Sequence, residues 1–116
     1  MCHVLVIEDD WITAEYVADV ARDAGATSIE MADSQAAAVA AAQRQPPGII
    51  LSDVKLVEGT GPRAVEAILA ELGPLPVIFI TGTPEACVPC DPPHVIMSKP
   101  VHAGNLTETF RQLAPL

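Results

Sequence analysis

Four short apolar runs, each closed by a residue capable of chemistry, constrain this chain more than any other feature. Val4-Leu5-Val6-Ile7 ends in the acidic triplet Glu8-Asp9-Asp10, and Gly48-Ile49-Ile50-Leu51-Ser52 ends at Asp53. Val77-Ile78-Phe79-Ile80 ends at Thr81, and Val95-Ile96-Met97 leads through Ser98 to Lys99. Continuous Val- and Ile-rich runs of this length read as strands buried on both faces. Carboxylates delivered by two such strands to one sheet edge repel and raise one another's pKa, so a site that keeps them ionised holds a cation. The pattern points to magnesium-assisted phosphoryl chemistry, with Lys99 as a fixed positive charge and Thr81 as a hydroxyl at the same edge.

Between the runs the chain reads as helix. Ile12, Tyr16 and Val20 recur at i, i+4 and i+8 on a first helix that stops at Gly25. Ile29 and Met31 alternate with Ser28 and Glu30 in a second, more exposed strand. Ser34 or Asp33 caps an alanine-rich helix from about Gln35 to Arg44, which Pro46 and Pro47 terminate. The loop Glu58-Gly59-Thr60-Gly61 opens a helix whose Val65, Ile68, Leu69 and Leu72 share one face, and Gly73-Pro74 ends it. Leu106, Phe110 and Leu113 mark the last helix. Pro84, Pro89, Pro92 and Pro93 crowd the crossover between Thr81 and Lys99, so a fourth helix there is short or absent. This alternation predicts an α/β fold, a doubly wound five-stranded parallel sheet with right-handed crossovers. In such sheets the site lies beyond the carboxyl ends of the strands, where the strand order reverses. A flavodoxin-like order 2-1-3-4-5 makes the first and third strands neighbours, so Glu8, Asp9 and Asp53 converge.

Composition narrows the function. The 116 residues read as one domain, 1–116, and 50% hydrophobic with only 3% aromatic residues means an aliphatic core. A net charge of -9 leaves no basic stripe to displace counterions, which argues against direct nucleic-acid binding. No apolar segment approaches the roughly 20 residues of a membrane span and no charged leader precedes Val4, so the expectation is a cytoplasmic protein with no membrane insertion. Met1, so close to the first strand, suggests a native start. The three cysteines are an odd number without framework spacing and fit a reducing compartment. Cys87-Val88-Pro89-Cys90 has only His94 and His102 nearby to complete a structural zinc site, and it lacks the helix-start context of a thioredoxin motif. It is expected to be a flexible loop with free thiols. His3, His94 and His102 are expected to have no catalytic part.

The chain resembles the receiver domain of two-component response regulators over essentially its whole length. The family's motifs occur in order: an acidic pair after strand one (Glu8, Asp9), the phospho-acceptor after strand three (Asp53), Thr or Ser after strand four (Thr81), and Lys-Pro after strand five (Lys99-Pro100). Gly61 matches the family's loop glycine. Pro76-Val77-Ile78-Phe79-Ile80-Thr81 and Leu56-Val57-Glu58-Gly59-Thr60-Gly61 are most similar to receivers of alphaproteobacterial general-stress regulators.

The resemblance implies a single-domain response regulator in a phosphorelay. Asp53 would accept a phosphoryl group from a sensor histidine kinase or histidine phosphotransferase, and output would pass to a downstream protein target. Mg2+ would be held by Asp9, Asp53 and the backbone carbonyl of Lys55, with Glu8 acting mainly through water. Lys99 would pair with Asp53 or with the phosphoryl group, Thr81 would bond another phosphoryl oxygen, and the Lys99-Pro100 bond would be cis. Such a domain is not an enzyme beyond its own phosphoryl transfer and dephosphorylation. Each residue also has a plainer use, and for Asp10 the plainer one, capping the first helix, is preferred. Trp11 is expected as a partly exposed helix-start residue beside the acids.

The chain departs from the family pattern in several places. Ile96 occupies the position of the usual switching aromatic, the fourth helix is curtailed, and Lys55 and Val57 replace the polar residue and proline often found after the phospho-acceptor. The expected switch is therefore phosphate acting through Thr81 to order the loop from Gly82 to Asp91. The alternatives are a phosphorylation-independent receiver-like binding module and, less favoured, a small Asp-nucleophile phosphatase. The phosphatase reading is less favoured because Glu8 opens the slot where those enzymes carry their nucleophile.

Overall fold

The computed structural model describes residues 2–90 and 94–116. Five strands alternate with four helices: β1 His3–Ile7, α1 Trp11–Ala24, β2 Ser28–Ala32, α2 Gln35–Arg44, β3 Ile49–Ser52, α3 Gly61–Leu72, β4 Val77–Thr81, β5 Val95–Ser98 and α4 Ala103–Leu113. The strands form one parallel sheet in the order β2-β1-β3-β4-β5. This is the flavodoxin-like architecture read from the sequence. Among the described residues no helix is long and apolar enough to cross a membrane.

Three of the helices, α1, α2 and α3, start where a side chain satisfies a free amide, whereas His102 at the start of α4 makes no such bond. Asp10 accepts from the Thr13 amide at 3.2 Å and also from the Thr13 hydroxyl. Ser34 accepts from Ala37 N at 3.1 Å, so it and not Asp33 caps α2. Thr60 accepts from Arg63 N at 3.2 Å, with Pro62 in the first turn of α3. Gly25, at φ 123°, closes α1 and returns its N–H to the last turn, a conformation that suits glycine.

Alternate strand residues build two cores. Val4, Val6, Ile49, Leu51, Ile78 and Ile80 pack beneath α1 and α4, whereas Leu5, Ile7, Ile50, Val77 and Phe79 pack beneath α2 and α3. Both faces are covered, which is why β1, β3 and β4 are unbroken apolar runs. One expectation changes here. Of Ile12, Tyr16 and Val20 only Val20 is buried; α1 turns Ala14, Val17, Ala18, Ala21 and Ala24 inward, and Ile12 is 77% exposed. Small residues let α1 approach the sheet closely, so its large ones face outward.

The fourth crossover contains a single turn of 3-10 helix, Pro84–Ala86, in place of a full helix. Beside it Ile96 and Ser98 are exposed while Val95 and Met97 pack into the α1/α4 core. The expectation of free thiols is corrected: Cys87 and Cys90 are joined in a disulfide, and Cys2 is the free cysteine, buried. A count of three could not reveal this, because Cys2 belongs to the opposite core. Lys99-Pro100 is cis, as is Val88-Pro89. Asp91, Pro92 and Pro93, which the sequence reading included in the crossover, lie outside the described residues.

Candidate functional site

The site grows from the carboxyl ends of β1, β3, β4 and β5. β1 and β3 are hydrogen-bonded neighbours, and the Asp53 amide donates to Ile7 O at 2.8 Å, which places Asp53 directly beside Glu8 and Asp9. One carboxylate oxygen of each of Glu8, Asp9 and Asp53 lies within 4.8 Å of the others. The Lys99 amide donates to Thr81 O at 2.9 Å, tying the ends of β4 and β5 together. From that anchor the Lys99 Nζ reaches Glu8 Oε1 at 2.8 Å and Asp53 Oδ2 at 3.1 Å.

Backbone amides hold further carboxylate oxygens. Asp53 Oδ1 accepts from Val54 N at 2.7 Å, Asp9 Oδ2 accepts from Val57 N at 2.6 Å, and Glu8 Oε2 accepts from the amides of Asp9 and Asp10. Gly61 lies against the backbone of Asp53, close enough that a Cβ would stand 1.7 Å from the Asp53 carbonyl oxygen. Lys55 is exposed, and its backbone bridges antiparallel to Thr60 across the loop. Thr81 is buried at the end of β4, and its hydroxyl oxygen accepts from Thr83 N at 2.9 Å. Trp11, 68% exposed, stands at the start of α1 beside the acids.

The electrostatics are uneven. Burial does most to push Glu8 up to about 7; the Lys99 hydrogen bond opposes this, and the hydrogen bond and charge of Asp53 add to it. Burial also works against the charge on Lys99, but the bonds from Glu8 and Asp53 outweigh it and hold its pKa above the usual lysine value. Sequence reasoning assigned Glu8 to a water-mediated role and overlooked its ion pair with Lys99. Their strands lie on opposite sides of β3 and β4, and no local pattern signals so long a reach. It also overlooked the Val57 amide that holds Asp9.

A pH dependence follows for the metal-free chain. A carboxyl raised from 4.5 to about 7 on folding contributes stability that is full below 4.5 and is lost as pH rises through about 7. Urea unfolding in a chelator should show stability falling across that window, and Glu8→Gln should flatten the slope. A slope unchanged by Glu8→Gln would place the titration elsewhere.

The order of the motifs, the sheet and this cluster of side chains match one family. The sequence fits the family described as "Response regulator receiver domain" over residues 4–111. The chain belongs to the response regulator receiver domains. Among receivers it is 31% identical over 113 residues to the Phyllosphere-induced regulator PhyR of Methylorubrum extorquens, covering 94% of this chain and 42% of that protein. The chain thus spans under half the length of that curated relative. The solution structure of the Erythrobacter litoralis PhyR receiver domain superposes with a TM-score of 0.83 at 31% identity, over 96% of this chain and 88% of that one. A variant of PhyR from Bartonella quintana, described as an anti-anti-sigma factor, gives 0.82 at 27% identity over 96% of this chain and 47% of that one. These are PhyR-type receivers, the group to which the sequence resemblance pointed.

Proposed function

We propose that this receiver is a phosphorelay response regulator that accepts a phosphoryl group on Asp53 from a histidine kinase or histidine phosphotransferase and signals through protein contacts. The observation that carries this is the Lys99 Nζ bridging Asp53 and the buried Glu8 where three carboxylates meet. The donor set is all oxygen, which suits Mg2+. Asp9, Asp53 and the Lys55 carbonyl would hold the ion directly and Glu8 through water; bound there, it neutralises phosphoryl oxygens and favours in-line attack.

The chain's own groups do the rest. Asp53 Oδ2 attacks phosphorus as the bond to the donor's histidine nitrogen breaks. Lys99 moves from Asp53 to the arriving phosphoryl oxygens, where its raised pKa keeps it charged. The Thr81 hydroxyl turns from Thr83 to another oxygen, which couples the site to the crossover. Ile96 supplies no aromatic ring to follow that movement, so output passes through the segment after Thr81. The partners are the phosphodonor and a protein target in the cytoplasm, with no part for nucleic acid.

The division of ligand roles can be tested apart from phosphate transfer. In a magnesium titration followed by Trp11 fluorescence, Glu8→Ala should weaken affinity about tenfold and Asp9→Ala more. Equal losses would show that Glu8 binds the ion directly, and no loss for either would remove the metal from this site.

A further inference from the structure

The phosphoryl site leaves one pair of reactive side chains unused. Cys87 and Cys90 lie in the crossover between β4 and β5, with Cα atoms 5.5 Å apart and only Val88 and Pro89 between them. Both are half-buried against the α2/α3 core, while Val88 is 67% exposed, so solvent reaches the connection. Among the described residues, few other hydrogen bonds tie this segment. Ala86 N donates to Thr83 O at 2.9 Å and Cys87 N to Pro84 O at 3.1 Å, and the 3-10 turn has no side-chain cap. Thr83 in turn holds the Thr81 hydroxyl.

A crosslink closing so short a loop removes little chain entropy, so opening it costs little. Disulfides that solvent can reach are among the more labile ones. Among the described residues the cluster of His, Cys, Asp and Glu side chains able to hold an ion is Glu8, Asp9 and Asp53, at the other site. The third cysteine does not compete. Cys2 is 1% exposed, and burial pushes its thiol pKa up.

We propose that Cys87 and Cys90 form a reversible dithiol–disulfide site that exchanges with low-molecular-weight disulfides and sets how firmly the crossover after Thr81 is held. In oxidation one cysteine thiolate attacks the small disulfide, forms a mixed disulfide and releases one small thiol. The second cysteine thiolate displaces the other. Two electrons and two protons pass from the protein pair to the small disulfide, which leaves as two thiols. This inference does not rest on the phosphoryl reading.

The test uses the full chain equilibrated across a series of glutathione to glutathione disulfide ratios, trapped by alkylation and read by mass, with hydrogen exchange of residues 82–90 in parallel. Cys87 and Cys90 should lose alkylation together within the series, and Cys2 should be labelled only after denaturation. Exchange should be about tenfold faster in the reduced form. The double variant Cys87→Ser with Cys90→Ser should exchange at the reduced rate at every ratio. Thiols that stay alkylatable throughout, a disulfide that survives the most reducing ratio, or equal exchange in the two forms would each overturn the proposal.

Discussion

Gly61→Ala should destabilise the chain by about 3 kcal/mol, the upper range of overpacking costs, and should disrupt the candidate site with it. A Cβ at this position would stand 1.7 Å from the Asp53 carbonyl oxygen and 2.4 Å from Ser52 Oγ. The nearer obstacle is backbone, and the Ser52 hydroxyl is held by its bond to that same carbonyl. The carbonyl belongs to the residue that carries the site, and it is already fixed by the Ser52 hydroxyl, which donates to it at 2.7 Å. The Gly61 amide is committed as well, donating to Val54 O at 2.9 Å. Relief requires moving either the start of α3 or the backbone of Asp53, and the second would carry its carboxylate away from Lys99. Gly82→Ala is the control, since nothing lies within 4 Å of the Cβ it would gain; its effect should fall within about 0.5 kcal/mol of zero. Urea unfolding of both variants checks the pair. Equal stability of the two would mean that the loop glycine is not held by this close approach.

The sequence made some of this legible because certain residues act locally. Ser34 and the Pro46-Pro47 pair bound α2 by capping and by steric exclusion, so its limits coincide with those read from the pattern. The apolar runs showed the sheet because a strand covered on both faces has no polar side. Convergence of Glu8, Asp9 and Asp53 followed from strand order alone. What was not legible depends on packing between distant segments. The inward face of α1 is set by alanines that fit the sheet, a signal hidden by the larger Ile12 and Tyr16, whose hydroxyl donates to Val101 O at 3.3 Å. The Lys99–Glu8 pair depends on the twist and spacing of four strands. Gly61 was visible as a glycine, but its steric reason lies in a carbonyl eight positions away across a folded loop. The disulfide escaped because composition does not reveal which cysteine is buried apart from the others.

Asp53→Asn should abolish phosphoryl acceptance altogether. The substitution keeps the shape of the side chain and an oxygen able to accept from Val54 N or Lys99, so the fold and much of the local bonding survive. It removes the anionic nucleophile, and an amide oxygen does not form a stable acyl phosphate. Among the described residues no other carboxylate is equivalently placed: Glu8 is buried and bound by Lys99, and Asp9 is held by the Val57 amide. Lys99→Ala, by contrast, would leave Asp53 in place without its counter-charge and should slow acceptance without changing the site of modification.

Intact-mass spectrometry after incubation with Mg2+ and a small phosphodonor reads phosphoryl acceptance at Asp53 directly. The wild-type chain should gain one phosphoryl group, and Asp53→Asn should gain none. Labelling that persists unchanged in Asp53→Asn, or a wild-type chain that takes up no phosphoryl group while folded and supplied with Mg2+, would contradict acceptance at Asp53.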